Sequence, residues 1–315
     1  MLGLLGRRLV FGAVSLIVAS VLIFAVTAWL PRNLPAWILG DQATPENVAA
    51  VRAELRLDQP PHKRYLAWLE HAIRGDLGHS LVSGRPVADM VGPRLLSTLF
   101  LIFCAAVVAI PVSVVLGILA AIGRSGIFDS IVRGLAVAAV SVPELLTGYL
   151  LMLYMAVQFR WFPAIVTFAP EHSIAGNLRA IFLPMLTVLV VLLAHMVRMV
   201  RASMLTVLAN PYIEMAVLKG LSRRRIVLHH ALPNAMAEII RIIALNLSYL
   251  IVGVVVVEAV FTYNGLGRLM VDAVSRRDMP VVQGCALIFA AVFIALNLIA
   301  DVLSILNNPR LRHPR

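Results

Sequence analysis

Six stretches of this 315-residue chain are apolar for long enough to cross a bilayer as helices, which takes about 20 residues each. They run over residues 9–30, 95–122, 131–159, 181–205, 235–261 and 281–306. Lipid offers no water to satisfy backbone N–H and C=O groups, so such a pattern confines the chain to a bundle of helices. Composition agrees: 61% of residues are hydrophobic and only 14% charged, too little charge for a soluble domain of this length. The expected fold class is an all-α polytopic membrane protein with six transmembrane helices. The first run follows Arg7 and Arg8, as a secretion signal would. It is longer than a typical signal core and no small-x-small cleavage site follows it cleanly, so it reads as a retained helix.

Arginine and lysine in the short connections set the orientation. Fourteen fall on the side of the two termini and five on the other, which puts both termini in the cytoplasm. Net charge is +11, but the basic residues sit in loops and at helix ends, where anionic lipid head groups are the natural partner. No RNA- or DNA-binding motif accompanies them, so nucleic acid is not an expected partner. Cys104 and Cys285 both lie in apolar runs and read as buried thiols. The chain divides into residues 1–30 (N-terminus and first span), 31–94 (an outer loop), 95–308 (five spans with an inner loop at 206–234) and a tail, 309–315.

The outer loop carries helical signals. Residues 46–57 read as a short helix with Thr44 as N-cap and Pro45 in the first turn. Residues 65–73 read as a second, ended by Gly75 and Gly78. A small helical lid or scaffold outside the membrane follows.

The inner loop is the most informative segment. Pro211 suits a helix start and Glu214 sits near its positive end. Gly220 can turn left-handed and stop that helix. Ser222 can cap a second helix, and Pro233 should break the chain before the next span. The expected product is a helix–turn–helix elbow with Arg223, Arg224 and Arg225 at its turn. A rigid elbow transmits motion where a floppy loop does not.

Glu214, Ala216 and Gly220, with Leu232-Pro233 following, resemble the "EAA" loop of ABC-importer permeases. The resemblance extends along most of the chain, to the dipeptide/oligopeptide/nickel class and the first of its two paired subunits. It is carried by Leu57-Asp58-Gln59-Pro60, Tyr65-Leu66-x-Trp68-Leu69, Arg74-Gly75-Asp76-Leu77-Gly78-x-Ser80, Gly84-Arg85-Pro86-Val87 and Ser141-Val142-Pro143. It continues through Ala216, Lys219, Gly220, Leu221 and Ser222, then Glu258-x-x-Phe261, Gly265-Leu266-Gly267-Arg268 and Arg277-Asp278-x-Pro280-Val281-Val282-Gln283-Gly284. The chain departs from the pattern at Met215, His230, Asn264 and Glu144.

The resemblance implies a type I importer permease fold and a transporter subunit that is not itself an enzyme. It implies half of a channel in a prokaryotic inner membrane, completed by a paralogous second permease. One or two ABC ATPase subunits sit on the elbow, and an extracytoplasmic solute-binding protein delivers di- or oligopeptides. No G-x-x-x-x-G-K-[ST] loop occurs, and the only lysines are Lys63 and Lys219, so the chain is expected to hold no cofactor, with ATP and Mg on the partners. It makes Glu214, Ala216, Lys219, Gly220, Leu221, Arg223, Arg224, Leu232 and Pro233 the coupling residues. Pathway and gate fall to Pro143, Glu144, Glu258, Phe261, Gly265, Gly267 and Asp278. Nickel, haem or another small solute remain open as cargo. A proton-coupled secondary transporter is a weaker alternative, since Glu144 and Glu258 do not form the paired intramembrane carboxylates or inverted repeats expected of one.

Charges inside spans are costly and mark protein interiors or watery paths. Glu144 falls mid-span after Pro143 and reads either as pathway-lining, favouring cationic or amine-bearing solutes, or as a structural carboxyl. Glu258 reads as bracing the outer turn at 262–267, or as a snorkelling carboxylate. Pro111, Pro143 and Pro184 read as hinges or static kinks. His195, Arg198 and Arg201 recur every three residues, and head-group snorkelling accounts for them.

Overall fold

The computed structural model describes residues 2–28, 43–54, 58–163 and 173–307. The tail at 309–315 lies outside them. Among the described residues the regular elements are all helices, apart from one isolated bridge between His79 and Pro86. The helices are α1 (Leu2–Ala28), α2 (Pro45–Glu54), α3 (Pro61–Ile73), α4 (Val87–Ile122), α5 (Ile127–Ser141), α6 (Glu144–Leu151), α7 (Ile174–Leu208), α8 (Pro211–Leu218), α9 (Arg223–Arg225), α10 (Leu232–Val260), α11 (Leu266–Ser275) and α12 (Met279–Asn307). Wider π-turns extend α6 over Met152–Gln158 and join α9 to α10 over Ile226–Ala231. Five helical stretches are each long and apolar enough to span a membrane, and a bent pair makes a sixth.

That bent pair corrects the expected continuous span at 131–159. The chain forms α5 and α6 with its π-extension, set at 97° to each other. The cause is local. Proline disfavours the helical region for the residue before it, and Val142 is extended at φ −93°, ψ 125°. Pro143 cannot donate back to α5 and instead begins α6, its carbonyl accepting from Thr147 N at 3.0 Å. Pro184, by contrast, lies within the unbroken α7.

Contacts gather the chain into two compact units. The first comprises Met1–Leu9, Leu99–Tyr263 and Ala295–Arg315. Here α7 packs along α10, with α5 against α7, and α6 against both α7 and α10. Its core includes Val200, Met204, Ile213, Ala216, Ile226, Val227, Ala235 and Ile239. Gly117 of α4 meets α7 so closely that a Cβ there would lie 2.8 Å from the Val200 side chain and 3.1 Å from the Val197 carbonyl. Small residues allow helices to approach this way in lipid. Arg8 and Asp301 pair at 2.5 Å, fastening α1 to α12.

The second unit comprises Val10–Thr98 and Asn264–Ile294. Its core is Val87, Val91, Leu266, Leu269, Ala273, Val281 and Cys285. The outer loop is anchored to α1 through an aromatic cluster: the Phe24 ring lies 5.6 Å from Tyr65 and 6.0 Å from Trp68. Ser20 and Tyr65 hydroxyls hydrogen-bond at 2.9 Å. Helix α3 starts four residues before the expected 65, because Pro61 supplies a preset first position. Gly75 and Gly78 are left-handed past its end, at φ 83° and 81°. Asp76 accepts from Gly78 N and lies beside His71, contacts that hold its carboxyl below the ordinary value. Helix α2 begins at Pro45, directly after Thr44, as expected.

The Gly117 contact gives the first prediction. Gly117→Ala should destabilise the protein by about 1–3 kcal/mol through overpacking, read as a lower thermal midpoint in detergent. An unchanged midpoint would mean that α4 and α7 shift freely.

Candidate functional site

The elbow is built almost as its residues dictate. Asn210 is extended at φ −74°, ψ 145°. Its side-chain Nδ2 donates back to the Thr206 carbonyl at 2.9 Å, so it closes the end of α7 rather than capping α8. Pro211 opens α8 and Glu214 lies in its first turn. At the far end Gly220 is left-handed, φ 74°. Gly220 N donates to Val217 O at 2.9 Å and Leu221 N to Ala216 O at 3.2 Å. These two bonds make a Schellman motif, which satisfies the last carbonyls and turns the chain sharply.

Burial sorts the expected coupling residues into two groups. Ala216 is buried, and Leu221 and Leu232 pack against the same core. These three hold the elbow in place. Glu214, Lys219, Gly220, Arg223, Arg224 and Pro233 are exposed or partly so. Tyr212, Met215, Val217 and Leu218 are exposed too, the last at 75%. An apolar, exposed helix face flanked by charge is suited to a protein contact. Leu218 was missed in the sequence because an apolar residue there is indistinguishable from the buried ones around it. Arg223 also donates to the carbonyl of Ile122 at the end of α4. A cavity of about 420 Å³ lies under the elbow, lined by Ile122, Leu205, Ile213, Val217, Leu221 and Ile226 among others.

Two expectations for the second arm need correction. Ser222 occupies the N-cap position but makes no side-chain capping bond; its carbonyl receives Ile226 N at 3.0 Å. Pro233 does not break the chain. Residues Arg223–Val260 run as one helical stretch of 38 residues. The π-turns just before the proline widen the helix, which relieves the clash of its ring with the carbonyl four residues back. The elbow's second arm is therefore the start of the membrane helix itself.

Beside the elbow lies an ion pair that sequence reading assigned otherwise. Arg201 does not snorkel. Its Nε and Nη2 donate to Asp129 Oδ1 and Oδ2 at 2.5 and 2.8 Å. Asp129 is fully buried, receives Ser125 N at 3.1 Å and has Arg133 at 3.5 Å. This forked pair ties α5 to α7. An acid at one inner helix end facing regularly spaced arginines was the available signal.

The expected gate residues fall in both units. In the first, Glu144 heads α6, with its carboxylate against Gly253 of α10: a Cβ at 253 would meet the two oxygens at 2.9 and 3.1 Å. Glu258 is wholly buried, which excludes the snorkelling alternative, and its carbonyl accepts from Tyr263 N at 2.9 Å. Phe261 is likewise buried and packs 3.4 Å from the place of a Cβ on Gly148. In the second unit, Gly265 precedes α11, Gly267 is buried in its first turn, and Leu266 N donates to Thr98 Oγ1 at 2.8 Å. Asp278 is buried and receives Ser80 Oγ at 2.5 Å and Leu81 N at 3.1 Å. It thereby pins the outer loop to the start of α12.

Comparison with known proteins adds a whole-chain finding. The model of the "binding-protein-dependent transport system inner membrane component" matches residues 113–313, and that of its N-terminal part matches residues 1–101. The glutathione transport system permease protein GsiC of Escherichia coli O6:H1 is 37% identical over 313 residues, covering 99% of this chain and 100% of that protein. Its counterpart in Salmonella typhimurium is 36% identical over the same shares. Among solved structures, the MetNI methionine ABC transporter in its inward facing form matches with a TM-score of 0.53. Identity there is 15%, over 70% of this chain and 96% of that one; the likeness is one of fold.

Two outcomes are expected from this geometry. No atom stands near a Cβ at Gly220, so substitution there costs conformation, not space. Left-handed backbone costs ordinary residues about 1–2 kcal/mol and asparagine less, so transport should fall in the order Gly, Asn, Ala. Equal activity of Asn and Ala variants would refute the conformational role. Asp129→Asn should lower the thermal midpoint by several degrees, because Arg201 loses a buried charge partner. Combining Asp129→Leu with Arg201→Met, which removes both charges together, should recover part of that loss.

Proposed function

The chain belongs to the inner membrane components of binding-protein-dependent transport systems, and from that premise we propose that it carries short peptides across a prokaryotic inner membrane. It is a permease subunit of an ABC importer. As such it works with a partner permease, ATPase subunits and a binding protein. In the reading proposed here the partner permease is a paralogue that completes the pathway as a pseudo-dimer. One or two kinds of ATPase subunit dock on the exposed face of α8, and both termini lie in the cytoplasm, on the elbow's side. The excess of arginine and lysine on that side supports this orientation.

The observation that carries the substrate is the match, end to end, with permeases named for glutathione. Glutathione is a tripeptide, so a peptide of two or three residues is the natural cargo class. ATP and Mg belong to the ATPase partners; this chain supplies the pathway and the elbow. When the ATPases close on ATP, the elbow moves with them. The 38-residue stretch Arg223–Val260 delivers that movement along α10 to Gly253, Glu258 and the turn at Phe261.

Purification with the products of neighbouring genes tests this reading. A membrane core of two permeases and two ATPase domains is expected, with ATP hydrolysis that rises on adding binding protein and a dipeptide mixture. A core that ignores peptides but responds to another solute would overturn the cargo. A chain that transports without an ATPase would overturn the docking scheme. Within the working complex, Glu214→Lys should cut peptide-stimulated hydrolysis by at least about fivefold, the cost of a like-charge or lost contact at an interface, with insertion unchanged. Full stimulation in that variant would exclude Glu214 from coupling.

A further inference from the structure

The break between α5 and α6 places a carboxylate inside an apolar span. Glu144 is partly buried, and among the described residues no hydrogen bond or ion pair engages its carboxylate. Glu144 stands in the first turn of α6. The facing helix makes room for it. Gly253 is the residue whose side chain would otherwise fill the space of the carboxylate oxygens.

An ionised carboxylate without a partner is costly in a low-dielectric span. The chemistry that completes it is a cation with several hydrogen-bond donors. A primary ammonium has three donors and no acceptor, matching a lone carboxylate. A divalent metal does not match, because it requires several oxygen or nitrogen ligands. No group of three or more His, Cys, Asp or Glu side chains able to hold a metal occurs among the described residues.

We propose that Glu144, set at the broken span against Gly253, binds the side-chain ammonium of a lysine-containing peptide as it passes through the importer. This rests on the peptide-importer reading above. Glu144 is then a selectivity residue of the pathway, separate from recognition by the binding protein. It gives cationic peptides a transient station where the span bends, and transient binding is what passage requires. Gly253 is its positioning counterpart, since a methyl group there would push the carboxylate aside.

The test uses the complete complex in proteoliposomes with its binding protein and ATPases. Uptake of Ala-Lys-Ala is compared with uptake of the same peptide bearing an Nε-acetylated lysine. Wild-type protein should favour the free amine, and Glu144→Gln should lower the ratio by about tenfold, the worth of one charge-assisted hydrogen bond. Gly253→Ala should lower it in the same direction, by displacing the carboxylate while retaining it. An unchanged ratio in Glu144→Gln overturns the proposal. If Glu144→Gln does not assemble with the second permease, an unchanged ratio in Gly253→Ala overturns it. If wild-type protein imports neither peptide but does import another solute, the peptide reading itself falls, and this proposal with it.

Discussion

Backbone hydrogen bonding in a solvent without water is the constraint on which the rest of this structure depends. Helices that span lipid must satisfy their own N–H and C=O groups, so each place where the ladder is interrupted must be covered by something else. The chain interrupts it at two informative places. At Val142-Pro143 the third span breaks through 97°, directly before Glu144. At Ile226–Ala231 the ladder widens into π-turns and continues past Pro233. Pro143 splits a helix after an extended Val142, while Pro233 is absorbed where the helix widens just before it.

That difference organises the mechanics. The elbow is closed on one side by the Schellman motif at Gly220 and fastened on another by Arg223 to the end of α4. Its second arm is continuous with α10. A continuous helical stretch therefore joins the elbow to Gly253, which faces Glu144. The forked pair of Asp129 and Arg201 holds α5 to α7 next to the elbow. A buried pair of this kind is weak evidence of net stability; its value here is that it fixes which two helices stay together.

Much of the fold was legible in the sequence. Spans, outer-loop helices and the stop at Gly220 follow from apolar run length and from single residues with strong local preferences. Those preferences act within one turn, and nothing distant competes with them. The positions of Ala216, Leu221 and Leu232 were legible as a pattern, but their role was not: the pattern does not distinguish residues that hold the elbow from residues that meet a partner. Burial does. Arg201 was misread because an arginine near a helix end is equally consistent with lipid and with a buried acid. The deciding residue, Asp129, is 72 positions away.

The amino-acid order by itself determined that this chain is a membrane-spanning helical bundle with a basic elbow. Run length, proline and glycine act locally, and lipid permits few alternatives. Tertiary structure decided which face of the elbow is exposed, that Arg201 is paired and that Glu144 meets a glycine. Each of these depends on which distant helix lies alongside, and such packing is settled only when the whole bundle closes.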